Sequence, residues 1–219
     1  IREEYISTMI AGKLGVGDGV RVIAPARSLA MDWITTEQKA LAESRFKQLG
    51  LRLSFGNHVN EIDEFASSSI ASRIDDLHQA FADPSIQLII TVIGGFNSNQ
   101  LLSYLDYELI KKNPKLFCGY SDITVLSNVL FAKTGLVTYS GPHFVSFGDP
   151  NPKSWDYILE YFKKCFFSDD PYELVPSKEW SNDGWACDQS KRSFQQNEGH
   201  WVINEGYAEG TSIGGNQCS

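Results

Sequence analysis

The chain has 219 residues, 42% of them hydrophobic, and carries a net charge of −8 at pH 7. That length holds one large domain, or one domain with part of another, and the apolar fraction supports a real core. The charge argues against a nucleic-acid polymer or an anionic membrane as the main partner.

Residues 1–8 read as an extension, with Met9 a candidate natural start; Arg2, Glu3 and Glu4 interrupt any secretory apolar segment. No stretch reaches the roughly 18 apolar residues needed to cross a bilayer. The cysteines at 118, 165, 187 and 218 form no C-x-x-C pair, so no metal or cofactor is expected, and a reducing cytoplasm is the expected location.

After a glycine-rich lead-in, residues 20–24 read as a strand stopped by Pro25. Residues 36–49 read as a helix ended by Gly50, and residues 51–55 as a second strand. Ile70, Ile74, Leu77 and Phe81 have helical spacing, predicting a helix over 69–81 closed by Asp83 and Pro84. Residues 86–93 are nearly all apolar, as a parallel strand buried on both faces should be, and Gly94-Gly95 ends them. A helical stretch over 99–113, a strand at 116–118, a helix over 123–132, a fifth strand at 137–139 and a last helix over 155–166 follow.

This alternation predicts an α/β fold, a flavodoxin-like doubly wound parallel sheet, over residues 18–168, with 1–17 as a lead-in. After Asp169 the pattern changes, and 169–219 read as a linker and the start of a β-rich second domain. Ligands of such sheets bind beyond the carboxyl ends of the strands. Three loops are expected to meet there: 25–28, 94–98 and 119–122.

The third loop carries the chemistry. Ser121 stands at a strand-to-helix junction between Gly119 and Asp122, where a sharp turn would push a nucleophile out of the sheet top. The alternative is a serine that caps a helix, and Ile123 in place of the second glycine of G-x-S-x-G departs from the elbow pattern. Gly94-Gly95 reads equally as a tight strand exit or as an oxyanion donor. His58 and His78 fit surface or helix-flank positions, while His143 and His200 are candidate bases for Ser121 that nothing singles out.

Taken together, five blocks resemble the LD-carboxypeptidase family of serine peptidases, most closely its microcin C self-immunity branch. They are residues 17–25, 91–99, 105–107, 119–124 and 138–142; a sixth, 209–216, also matches. The resemblance implies that Ser121 is the nucleophile of a Ser-Glu-His triad and that the N–H groups of Gly95 and Asp122 form its oxyanion hole. It further implies substrate contacts from Asn97 and an aromatic stack on a nucleobase from Trp180 or Trp185, each of which could equally be a packed junction residue. The implied substrate is a small peptide, as in murein recycling, or a peptidyl or aminoacyl nucleotide; a homodimer is compatible with the family. The family's Glu and His lie beyond the sixth block, and the chain ends three residues after it, so an inactive fragment is the expectation. A non-catalytic peptide or nucleotide binding module of the same fold remains the alternative, and a dinucleotide loop is disfavoured by the missing G-x-G-x-x-G spacing.

Overall fold

The structure, a computed structural model, describes residues 7–183, 191–199, 201, 203–207, 209 and 210. Four parallel strands form the central sheet: β1 (Gly19–Ile23), β2 (Arg52–Phe55), β3 (Ile86–Thr91) and β4 (Leu116–Cys118), in the order β2-β1-β3-β4. Five helices accompany them: α1 (Thr36–Gln48), α2 (Ile70–Ala82), α3 (Tyr107–Lys112), α4 (Thr124–Thr134) and α5 (Pro152–Phe167).

The side-chain alternation of the strands sorts the core into two layers. Val20, Val22, Leu88, Ile90, Leu116 and Cys118 face α1 and α5, where Phe46, Phe162 and Phe166 wait. Ile23, Ile89 and Phe117 face α2, α3 and α4, meeting Leu77, Phe81, Ile110, Leu126 and Leu130. Helices therefore cover both faces, as the doubly wound reading requires, and β3 is buried on both of them.

Local chemistry sets the helix starts. Thr35 caps α1 in a reciprocal box with Gln38, its Oγ1 accepting the Gln38 N–H at 3.2 Å while Gln38 Oε1 accepts the Thr35 N–H at 2.9 Å. Ser69 caps α2, and Asn151 with Pro152 at the first position opens α5.

Two expected elements differ. The fifth strand at 137–139 is two isolated parallel bridges instead, Met9 to Leu136 and Cys118 to Tyr139. Leu136 and Val137 are drawn to Met9, whose carbonyl accepts the Val137 N–H at 2.8 Å. Only Tyr139 reaches β4, and Pro142 soon afterwards has no N–H with which to extend a ladder. The helical stretch over 99–113 is split into a 3-10 segment, Ser98–Tyr104, and α3. Asp106 breaks it: its carboxylate caps α3 through the Leu109 N–H, and its own N–H goes to His78 Nε2 at 2.9 Å.

Beyond Phe167 the described chain holds one short antiparallel pair, β5 (Glu179–Trp180) with β6 (Gln195–Gln196). Among the described residues no helix is long and apolar enough to cross a membrane.

Candidate active site

The chain leaves β4 through Gly119, whose position allows no side chain. A Cβ there would collide with Thr91 Oγ1 and come within 2.8 Å of Ile123 Cγ2. Tyr120 is extended, and Ser121 then turns to φ +60°, the left-handed region, before the chain enters a 3-10 turn that leads into α4. A non-glycine residue held there costs about 1–3 kcal/mol, which the surroundings must offset. Neither the 3-10 turn nor α4 has a side-chain cap hydrogen bond, so Ser121 does not behave as an ordinary helix cap. Its side chain is exposed at the carboxyl edge of the sheet.

The exit of β3 lies directly against this turn. A Cβ on Gly94 would stand 3.3 Å from Ser121 Oγ and 3.4 Å from the Asp122 nitrogen. Asp122 ties the two loops together, since its buried carboxylate accepts the N–H groups of Asn97 and Ser98 at 3.1 and 3.0 Å. Ser98 returns the contact, its hydroxyl donating to the Asp122 carbonyl at 2.7 Å.

The first loop is fixed by the segment that follows β2. The Ser28 hydroxyl donates to the Val59 carbonyl at 3.1 Å, and the Ser67 hydroxyl donates to the Ala26 carbonyl at 2.6 Å. Arg73 then joins the first two loops. It donates to the carbonyls of Pro25 and Asn97 at 3.3 and 3.1 Å and to Gln100 Oε1 at 2.7 Å. Burial lowers its pKa, opposed by Asp63 and Asp122. The three loops expected to converge do converge.

Sequence reasoning passed over Arg73; its one signal was an arginine on the apolar side of α2, beside Leu77. It also passed over Thr91, whose hydroxyl sits 2.8 Å from His143 Nδ1. His143, a candidate base in the sequence, is 1% exposed, and its ring stacks on Tyr120 with centroids 4.2 Å apart. Burial pushes its pKa down to about 3, against the Tyr120 backbone, which raises it. A neutral imidazole turned toward threonine braces the elbow from behind and is a poor base for Ser121.

The other histidines are engaged elsewhere. His58 contacts Glu61 through Nδ1 at 2.6 Å and Asp75 through Nε2 at 3.1 Å, which raises its pKa, the Glu61 bond most. His58, Asp75 and Asp76 bring potential ligand atoms within 4.8 Å of one another, but both imidazole nitrogens already face carboxylates. His78 accepts the Asp106 N–H. His200 and Trp185 lie outside the described residues.

Asn97 is half-buried and its side-chain oxygen is enclosed without a partner. Trp180 sits on β5, 39% exposed. Among the described residues no hydrogen bond or ring contact joins Trp180 to the elbow or to the 94–98 loop. Beside the elbow a cavity of about 620 Å³ opens past Gly119 and Tyr120, walled by Phe131 of α4 and by Tyr157, Tyr161 and Phe166 of α5.

Residues 20–141 match the family model of the LD-carboxypeptidase N-terminal domain. The chain belongs to the LD-carboxypeptidase family. It is 54% identical over 211 residues to the putative carboxypeptidase YocD of Bacillus subtilis, a match covering 96% of this chain and 64% of that protein. The crystal structure of an MccF-like protein from Bacillus anthracis superposes with a TM-score of 0.84 at 53% identity, covering 88% of this chain and 57% of that one. The microcin C7 self-immunity protein MccF, in a structure with aspartyl sulfamoyl adenosine, superposes at 0.78 with 30% identity, over 87% and 58%. The chain thus spans about three-fifths of the lengths it matches. In this LD-carboxypeptidase chain the matched segment contains all of β1 but Gly19, both glycine-bearing strand exits and the elbow.

Proposed function

We propose that the chain carries the nucleophile portion of a serine carboxypeptidase that hydrolyses an amide near a free carboxylate, in a small peptide or in a peptidyl or aminoacyl nucleotide. The observation that carries this reading is Ser121 at φ +60° on the exit of β4, with the Gly94 backbone packed against it. Ser121 Oγ attacks the amide carbonyl, and the N–H groups of Gly95 and Asp122 receive the oxyanion. Collapse of the tetrahedral species expels the amine and leaves an ester on Ser121, which water hydrolyses. No cofactor enters these steps.

A serine hydroxyl is essentially un-ionised at neutral pH and needs a base. Among the described residues no histidine is hydrogen-bonded to Ser121, and the family resemblance puts the base and its carboxylate partner in the part of the relatives' length that this chain does not span. By itself the chain is then inactive. That MccF was solved with an aminoacyl sulfamoyl nucleotide supports the nucleotide class of substrate, with Asn97 contacting it and Trp180 or Trp185 stacking on the base at about 1–3 kcal/mol. The unit is assigned to the cytoplasm, with residues 18–168 as one domain, 169–219 leading into a second, and a homodimer as the candidate assembly. The want of a described base also favours a second reading, a binding module in which Ser121 does no chemistry.

Turnover of an LD-tetrapeptide and of an aminoacyl sulfamoyl adenosine separates the two. In the protein extended to its relatives' length, Ser121→Ala is expected to lower kcat by about 10⁴-fold or more. Unchanged turnover in that variant removes the nucleophile assignment, and robust turnover by these 219 residues alone removes the external base.

A further inference from the structure

Arg27 carries a charge that no described residue balances. The other arginines of the α/β layers are occupied: Arg21 with Asp83 at 3.0 Å, Arg45 with the carbonyls of Phe147 and Asp149, Arg52 with the Gly17 carbonyl, and Arg73 with the two loops. Arg27 pairs with no described carboxylate, and its Nε is buried without a hydrogen-bond partner. In a protein of net charge −8 this is a conspicuous place to leave a cation unpaired.

Its location gives the charge a use. A Cβ on Gly95 would stand 3.3 Å from Arg27 Cγ, as one on Gly94 would stand 3.3 Å from Ser121 Oγ. The arginine stem and the serine hydroxyl therefore flank the two ends of one dipeptide, whose Cα atoms are about 3.8 Å apart. The guanidinium lies 4.8 Å from the ring centre of Phe96, which is 83% exposed. That stacking holds the plane of the fork without satisfying its N–H donors. A half-buried fork held in one plane and left unpaired is what a planar oxyanion group fits in bidentate fashion.

We infer that Arg27 is a specificity residue that captures the anionic group adjoining the scissile amide, and that this group is the substrate's free carboxylate. The inference rests on the hydrolase reading for where the amide lies. The shared chemistry is a small oxyanion beside the amide, which a peptide supplies as its C-terminal carboxylate and a nucleotide conjugate as the phosphate or sulfamate linkage.

The test uses the full-length protein with Arg27→Gln and Arg27→Lys. The substrates are a tetrapeptide with a free C-terminus, the same peptide as its C-terminal amide, and an aminoacyl sulfamoyl adenosine. Arg27→Gln is expected to raise KM for the free acid by about 10- to 100-fold, the worth of a charge-assisted hydrogen bond, with kcat changed little. Arg27→Lys should recover part of that loss, and the peptide amide, already weak on the unaltered protein, should lose nothing more. A loss confined to the sulfamoyl nucleotide keeps the anion site but overturns the carboxylate assignment. Equal losses on acid and amide overturn the proposal, because they mark a merely structural arginine.

Calorimetric binding of the peptide acid and amide to the Ser121→Ala protein provides the measurement that needs no turnover. An Arg27-dependent preference for the acid, found where no protein hydrolyses the peptide, upholds the site and sinks the hydrolase reading. Turnover without any such preference does the reverse.

Discussion

The layers up to Phe167 and the chain beyond it are held in different ways. In the first region each loop at the sheet edge is fixed from several sides: the elbow by Thr91, Ile123 and Gly94, and the glycine loop by Asp122 and Arg73. Among the described residues beyond Phe167, the chain is tied back mainly by side-chain contacts such as Arg192 to Asp149 at 3.0 Å and Lys153 to Glu179 at 2.6 Å. Residues 173 and 175 hang on the hydroxyls of Tyr157 and Tyr161, and Leu174 and Val175 are 65% and 53% exposed. Strained backbone at Ser121 can persist only in the first kind of setting, because the cost must be offset by packing that has no alternative arrangement. The strained turn at Ser121 thus lies in the over-determined region.

The largest expected effect tests that over-determination at Gly119. In Gly119→Ala the new methyl meets Thr91 Oγ1 and Ile123, both fully buried, so neither can swing away. A loss of about 1–3 kcal/mol in chemical denaturation is expected, with turnover of the protein extended to its relatives' length falling as the elbow shifts. A variant as stable as the parent would mean that the elbow has slack, and the contrast between the regions would fail.

A pH measurement sharpens the same point at His143. Its folded pKa, about 3, lies below the roughly 6.5 of an unfolded chain. Between those values the unfolded state binds the extra proton. The histidine's contribution to stability is therefore intact above about pH 6.5 and is lost as pH falls toward 3, at no more than about 1.4 kcal/mol per pH unit. His58 has the opposite sign: its raised pKa adds stability below its unfolded value that disappears as pH rises through the folded one. Comparing the pH dependence of His143→Asn with that of the parent cancels the carboxylates common to both. The difference should fall with acid over that window; a flat difference would mean that His143 is solvated and does not brace Tyr120.

How much of this was readable follows the range of the interactions. The apolar run from Ile86 and the helical spacing of Ile70, Ile74, Leu77 and Phe81 are local signals, and β3 and α2 stand where those signals put them. The convergence of the three loops followed from topology alone, and the sharp turn at Ser121 from the strand-Gly-x-Ser-helix order. The break at Asp106 went unread because apolar spacing continues across it, and capping competes with helix extension on terms that periodicity does not register. The strand at 137–139 was overcalled because Met9, some 130 residues earlier, takes Leu136 and Val137 for itself. Arg73 was invisible as a site residue, and Arg27, though on a loop expected at the sheet edge, could not be singled out, because only the fold decides whether an arginine is tied down or left unpaired.

The smallest effect lies where α5 holds the later segment, at Tyr161. Its hydroxyl accepts the Val175 N–H at 2.7 Å and lies 3.2 Å from the Val175 carbonyl, at an exposed position. Tyr161→Phe keeps the ring that packs beside Tyr157 and removes only these polar contacts. A hydrogen bond open to water is worth about 0.5–1.5 kcal/mol at most, since water replaces the lost partner. Global stability should therefore move by less than about 1 kcal/mol. The change should appear in local opening: amide exchange at Val175 should quicken while the amides of β3 keep their rates, because segments with few buried contacts open independently of the core. If β3 exchange quickened as well, the segment after Phe167 would share the cooperative unit of the sheet, and the two regions would have to be treated as one.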